Sequence, residues 1–153
     1  LILKVKEIEL SIEIDNELLN ILIEKGKSHY PNEFGGFLIG YYSNDNKHLH
    51  ITNTIFPQSF KSSKYSFERN TRGIDKELKN YYNETPKKIY VGEWHTHPDN
   101  SSTPSTTDIL AMKTISNIPN CPVNPVLLIL GYSQTKLDFG FYVWFENKLY
   151  KYE

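Results

Sequence analysis

Apolar residues in this chain come in runs of strand length, as at Val126 to Leu130, and none approaches the ~20 residues that a membrane-spanning helix needs. That pattern excludes a helical membrane protein and favours a fold built around a sheet. Ile8, Leu10, Ile12 and Ile14 alternate with Glu9, Ser11 and Glu13, the period of a half-buried strand. Leu18, Leu19, Leu22 and Ile23 then recur at helical spacing behind Asp15, a candidate cap, and Gly26 is a candidate stop. Strands are predicted from Phe37 to Tyr42 and from His48 to Phe56, joined by the turn Ser43-Asn44-Asp45-Asn46. Residues 57–64 read as a loop, Tyr65 to Arg69 as a short strand, and Thr71 to Asn83 as a helix. Ile89 to His97 reads as a strand stopped by Pro98, and Pro104 to Asn117 as a helix. Val126 to Gly131, Leu137 to Phe145 and Leu149 to Tyr152 complete the strands, with a turn over Ser133-Gln134-Thr135-Lys136. The expected fold class is therefore α+β, a mostly antiparallel sheet flanked by about three helices. With 153 residues, no internal repeat and no composition break, residues 1–153 are expected to form one domain.

Composition enters through what it excludes. The net charge is −1 and arginine occurs only at Arg69 and Arg72, so no nucleic-acid partner is expected. Cys121 is the single cysteine and cannot form an internal disulfide, which fits a reducing cytoplasm. The N-terminus lacks the basic and then apolar segments of a signal peptide, and no membrane association is expected.

The densest chemistry lies between His95 and Asp108. Residues i and i+2 of a strand face the same way, roughly 6.5–7 Å apart, so the imidazoles of His95 and His97 can converge on one ion. Asp108 follows in the first turns of the next helix and shares a face with Ser105. Two histidines and one carboxylate leave a fourth position open, the pattern of a catalytic rather than a structural zinc site. Such a site needs a base for its water. Glu33 is a candidate, since it precedes a Gly-Gly pair that permits close backbone approach, although the chain carries 18 acidic residues.

The set Glu33-x-x-Gly36-x-Leu38-x-Gly40, then His95-x-His97, seven residues, and Ser105-x-x-Asp108, resembles the JAMM motif of JAB/MPN-domain metallopeptidases. The flanking Pro98 and Pro104 match as well. The run Gly92-Glu93-Trp94-His95-Thr96-His97-Pro98 is similar to prokaryotic members, and most to those of anti-phage operons that carry ubiquitin-like conjugation genes. The resemblance implies an MPN/JAB, cytidine-deaminase-like architecture with one Zn²⁺ per chain held by His95, His97 and Asp108. It further implies Glu33 as the acid–base and Ser105 as a donor to the oxyanion. The implied activity is isopeptide or peptide cleavage after the Gly-rich C-terminal tail of a ubiquitin-like protein or its conjugate. Two other readings stay open: a peptidase that processes sulfur-carrier proteins, and a non-catalytic MPN scaffold.

Plainer readings stand beside these. Ser105-x-x-Asp108 is also a helix capping box, or Thr103 caps with Pro104 at the first helical position. His48-x-His50 repeats the strand spacing, but with no obvious carboxylate partner it reads as a solvated edge. Glu93 either orients a ligand imidazole or forms a salt bridge, and Glu68 and Arg69 read as a surface pair. Cys121 reads as an ordinary thiol. A second zinc site of the kind that needs histidine and cysteine after the motif is not expected, because no histidine follows His97.

Overall fold

A computed structural model describes residues 1–122, 124–133 and 135–153. Gln134, part of one predicted turn, lies outside the described residues. The strands are β1 (Ile2–Val5), β2 (Leu10–Ile14), β3 (Gly35–Tyr42), β4 (His48–Ile55), β5 (Phe60–Ser62), β6 (Phe67–Arg69), β7 (Ile89–Pro98), β8 (Val126–Tyr132), β9 (Leu137–Phe145) and β10 (Lys148–Lys151). The helices are α1 (Asn16–Lys27), α2 (Asp75–Tyr82) and α3 (Thr106–Ser116).

Eight strands form one sheet in the order β1-β2-β4-β3-β7-β8-β9-β10, and β5 and β6 form a separate hairpin. The α+β class and the three helices agree with the sequence reading, but where a mostly antiparallel sheet was expected the sheet is mixed, with two parallel pairings among its seven. β2 runs parallel to β4, and β7 parallel to β8. The reason is the crossovers: α1 and β3 lie between β2 and β4 in sequence, and α3 lies between β7 and β8, so each pair is entered from the same end. Alternation of side chains carries no record of strand direction. The edges of the sheet meet, because Lys4 and Glu153 exchange both backbone hydrogen bonds, at 2.8 and 2.9 Å. The sheet is thus nearly a closed barrel.

Its inner face holds the main core, in which Ile12, Leu38, Val91, Trp94, Leu128 and Phe141 pack with Leu19, Leu22 and Ile23 of α1. The outer face is covered in two places. Ile74 and Leu78 of the α2 region meet Phe37, Ile39 and Ile55. Met112 of α3 meets Leu127, Ile129, Tyr142 and Trp144.

Three local expectations change. β1 and β5 were not foreseen; both are short, and their exposed residues hide the alternation. Gly26 does not stop α1 but sits inside it, buried, where a Cβ would lie 2.6 Å from the Thr96 side chain. The glycine permits helix–strand approach rather than ending the helix. Among the described residues, no helix is long and apolar enough to cross a membrane.

Candidate metal centre

β7 supplies two of the predicted ligands. Its residues 93, 95 and 97 face outward and are partly exposed, while Trp94, Thr96 and Pro98 are buried. After Pro98 the chain loops across and enters α3, whose N-terminus points back at the strand end. Asp108 is the third residue of α3, and the capping box foreseen as the plainer reading is present. Ser105 Oγ accepts from the Asp108 N–H at 3.2 Å, and the Asp108 carboxylate accepts from the Ser105 N–H at 2.7 Å. Ser105, not Thr103, is the cap.

The capping box aims Asp108 at the histidine pair. His95 Nε2 lies 3.0 Å from Asp108 Oδ1, His97 Nε2 lies 3.2 Å from Asp108 Oδ2, and the two Nε2 atoms are 3.2 Å apart. An ion with bonds of ~2.0–2.1 Å in tetrahedral geometry holds its ligands ~3.3 Å apart. The three donors therefore already stand at the separations of one metal's coordination shell, and these side chains fit such an ion. His97 Nδ1 lies 2.9 Å from the Ser101 carbonyl, to which it donates, leaving the Nε2 lone pair for the ion. Burial alone would raise the Asp108 pKa, but hydrogen bonds from both histidines and from the Ser105 N–H outweigh it and hold the carboxyl well below its ordinary range. For His97, burial opposes the charge, yet Asp108 and the Ser101 carbonyl raise its pKa.

Glu33 arrives from another element. Its own N–H donates to the Ser63 carbonyl at 2.8 Å, and its carbonyl accepts from the Ser62 hydroxyl. The next residue is clamped to β7: the Phe34 N–H donates to Thr96 Oγ1, and the Thr96 N–H donates to the Phe34 carbonyl, both at 2.9 Å. Gly35 stands opposite His95 in the β3–β7 register, and a Cβ there would lie 2.1 Å from the Trp94 carbonyl. Only glycine lets β3 start this close to the histidine strand. The Glu33 carboxyl is half-buried. Burial raises its pKa, the charges of His95 and His97 pull it down, and Asp108 pushes it up again. The structure thus brings Glu33, His95, His97, Ser105 and Asp108 to one end of β7.

Some supporting residues were missed. Ser102 is buried in the loop between β7 and α3, and both its N–H, at 3.1 Å, and its hydroxyl, at 2.6 Å, donate to Asp138 Oδ2 on β9. Its carbonyl accepts from Tyr142 at 2.8 Å. Nothing in a polar loop sequence marks which serine is pinned. Thr96 could have been found, since it is a polar residue on the buried face of an otherwise apolar alternation. Glu93 proves to be a salt-bridge residue: Arg69 Nε donates to its Oε1 at 2.5 Å, and Tyr90 donates to Oε2 at 3.2 Å. Arg69 therefore pairs with Glu93 rather than with Glu68. The His48-x-His50 pair does have a carboxylate, Glu13, brought beside it by the β2–β4 register.

An α+β fold brings two strand histidines and a helix-capping aspartate together at one sheet end, in an arrangement that could hold a metal ion. Residues 15–141 match the family of prokaryotic homologues of the JAB domain, and the chain belongs to that family. It is 37% identical over 123 residues to the CD-NTase/cGAS isopeptidase of Enterobacter hormaechei subsp. hoffmannii, covering 79% of this chain and 67% of that protein. It is 28% identical over 124 residues to the probable metalloprotease y4qB of Sinorhizobium fredii, covering 78% and 74%. The solution structure of protein DSY2949 from Desulfitobacterium hafniense superposes with a TM-score of 0.69 at 16% identity, over 92% of this chain and 88% of that one, a likeness of fold. The names of these two relatives support a peptidase or isopeptidase function, and that of the Sinorhizobium protein a metal ion.

Proposed function

We propose that the chain is a zinc-dependent isopeptidase that releases a ubiquitin-like modifier by cutting after its Gly-rich C-terminal tail. The observation that carries the proposal is the convergence of His95, His97 and Asp108 at coordination distances, with the carboxyl of Glu33 near enough to feel their charges. Bound by these three residues, zinc would polarise the scissile carbonyl and acidify water at its open position. Glu33 takes the proton of the attacking water on a carboxylate oxygen and delivers it to the leaving amine nitrogen. Burial raises its pKa, which favours proton uptake by a carboxyl that must accept the proton before releasing it. Ser105 is exposed, and its Oγ accepts from the Asp108 N–H, so the hydroxyl proton stays free to donate to the developing oxyanion.

The tail would enter as a strand along β6. Ser63 N–H donates to the Ser66 carbonyl and Asn70 N–H to the Ser59 carbonyl, so residues 66, 68 and 70 turn their backbone groups toward β5. Phe67 and Arg69 turn theirs away, and no other strand pairs with β6 among the described residues. The Arg69–Glu93 ion pair ties this edge to β7 two residues before His95. Backbone pairing there supplies affinity, and glycine at the cleavage point leaves room at the metal. By its likeness to the Enterobacter relative, the conjugated target is an enzyme of the CD-NTase/cGAS kind, and the setting is anti-phage defence in the cytoplasm.

The test is a conjugate of a Gly-tailed ubiquitin-like protein and a CD-NTase, incubated with zinc-loaded chain and resolved by mass. Release of the intact modifier ending in glycine is expected. Failure to cut any such conjugate or linear fusion, by a chain holding one zinc at His95, His97 and Asp108, would overturn the reading. Substituting Phe67→Pro removes one outward N–H and should raise KM more than it lowers kcat.

A further inference from the structure

A second group with the same donor types lies on the outer face, away from the centre described above. The β2–β4 register sets Ser11 beside His48 and Glu13 beside His50. His50 Nδ1 is 3.1 Å and His48 Nε2 is 3.6 Å from the same oxygen, Glu13 Oε2, and the three donor atoms all lie within 4.8 Å of one another. In the register of β3 with β4, His50 stands opposite Tyr41, whereas His95 stands opposite Gly35, so the two groups sit at opposite ends of β3, roughly 20 Å apart along the strand.

We propose that Glu13, His48 and His50 form a second site for a divalent ion of the zinc class, which staples β2 to β4. The two imidazoles are held in place by contacts other than the carboxylate. The unused nitrogen of His48, Nδ1, is hydrogen-bonded to the Ser11 hydroxyl. With the proton on Nδ1 and donated to Ser11, the lone pair of Nε2 faces Glu13, the arrangement that metal-binding histidines use. The ring of His50 stacks on Tyr41 with centroids 4.6 Å apart and planes 12° from parallel, which fixes its plane and aims Nδ1 inward. The two histidine–carboxylate separations, 3.1 and 3.6 Å, bracket the ~3.3 Å expected around a tetrahedral ion. Two imidazoles with one carboxylate suit zinc, copper or nickel rather than calcium or magnesium. The side chains are 30–41% exposed, so water completes the coordination, and an ion can enter without the chain opening. The three ligands come from two parallel neighbours, β2 and β4, so the ion would cross-link residues at least 35 positions apart in sequence, Glu13 and His48.

The experiment uses chelator-treated protein and Zn²⁺ alone, titrated against a chromophoric competitor. Two ions per chain are expected, and the outer one should saturate at micromolar free zinc. His48→Gln/His50→Gln should lose one ion, and His95→Gln/His97→Gln should lose the other. Ser11→Ala should keep both but weaken the outer ion about 10–100-fold, through loss of the His48 partner. In wild type, where folding is not at issue, Co²⁺ should broaden the backbone NMR signals of Glu13, Tyr41 and His50, and should still do so in His95→Gln/His97→Gln. Uptake of one ion only by wild type, an outer ion that binds at millimolar zinc or weaker, or unbroadened signals around Glu13 would each overturn the proposal.

Discussion

Asp138→Ala removes the acceptor that holds the loop between the histidine strand and the aspartate helix. Ser102 is 5% exposed, and both its donors end on Asp138 Oδ2, at 3.1 and 2.6 Å. Losing a charged acceptor costs about 1.5–3 kcal/mol per hydrogen bond when the donors stay buried. Asp138 is only partly buried, so entering water satisfies some of the deficit, and a total of ~2–3 kcal/mol is expected. For a chain of this length that lowers Tm by about 5–10 °C. The loss reaches the metal centre through one link: Ser101, next to Ser102, offers the carbonyl that orients His97. Zinc affinity should therefore fall by about tenfold or more in the same variant. Thermal melts of chelated protein measure the first effect, and competition titration measures the second. Burial raises the Asp138 pKa, but the two Ser102 hydrogen bonds more than offset it, so the folded value is depressed. The stabilisation is then present above the unfolded carboxylate range and fades as pH falls through the folded value; the Tm gap between wild type and Asp138→Ala should close in acid. A Tm within 1–2 °C of wild type at neutral pH, together with unchanged zinc affinity, would refute the argument.

Glu33→Gln should lower the cleavage rate by about 10²–10⁴-fold while one zinc stays at His95, His97 and Asp108; loss of that zinc in the variant would make Glu33 a ligand. Ser105→Ala should lower kcat by roughly 10²-fold and, because it also removes the α3 cap, stability by about 0.5–2 kcal/mol; full turnover with the stability loss alone would leave Ser105 only its capping role. Zinc at 1,000 times its Kd should stabilise the chelated chain by ~4 kcal/mol, seen as a rise in Tm, and equal melts with and without zinc would contradict binding by the folded site. Zinc uptake should weaken as pH falls through the raised His97 range, since the protonated imidazole offers no lone pair, and a flat pH profile would exclude His97 as a ligand.

Strand and helix positions were legible wherever one face was buried and the other wet, as in β2, β7 and α1. The clustering of His95, His97 and Asp108 was legible for a stricter reason: they are tied by local geometry, the first two by the two-residue period of a strand and the third by the capping box that starts α3. What could not be read depends on which strands meet. The parallel pairing of β2 with β4 is settled by the path of α1 and β3 between them, and with it the approach of Glu13 to His48 and His50. The Ser102–Asp138 anchor and the Arg69–Glu93 pair join residues 36 and 24 positions apart, so no short pattern announces them.

The closure of the sheet between Lys4 and Glu153 has a consequence for the order in which the fold is completed. During synthesis β1 emerges well before its second neighbour, the stretch that follows β10. Until then one side of β1 offers unpaired backbone groups to any strand it meets. β2 is ready at once to cover the other side, whereas β10 and the residues after it must wait for the whole β7-α3-β8-β9 segment. Removing Tyr152 and Glu153 would leave that seam open in the finished molecule, and self-association through β1 should follow at high protein concentration even where the metal centre is intact.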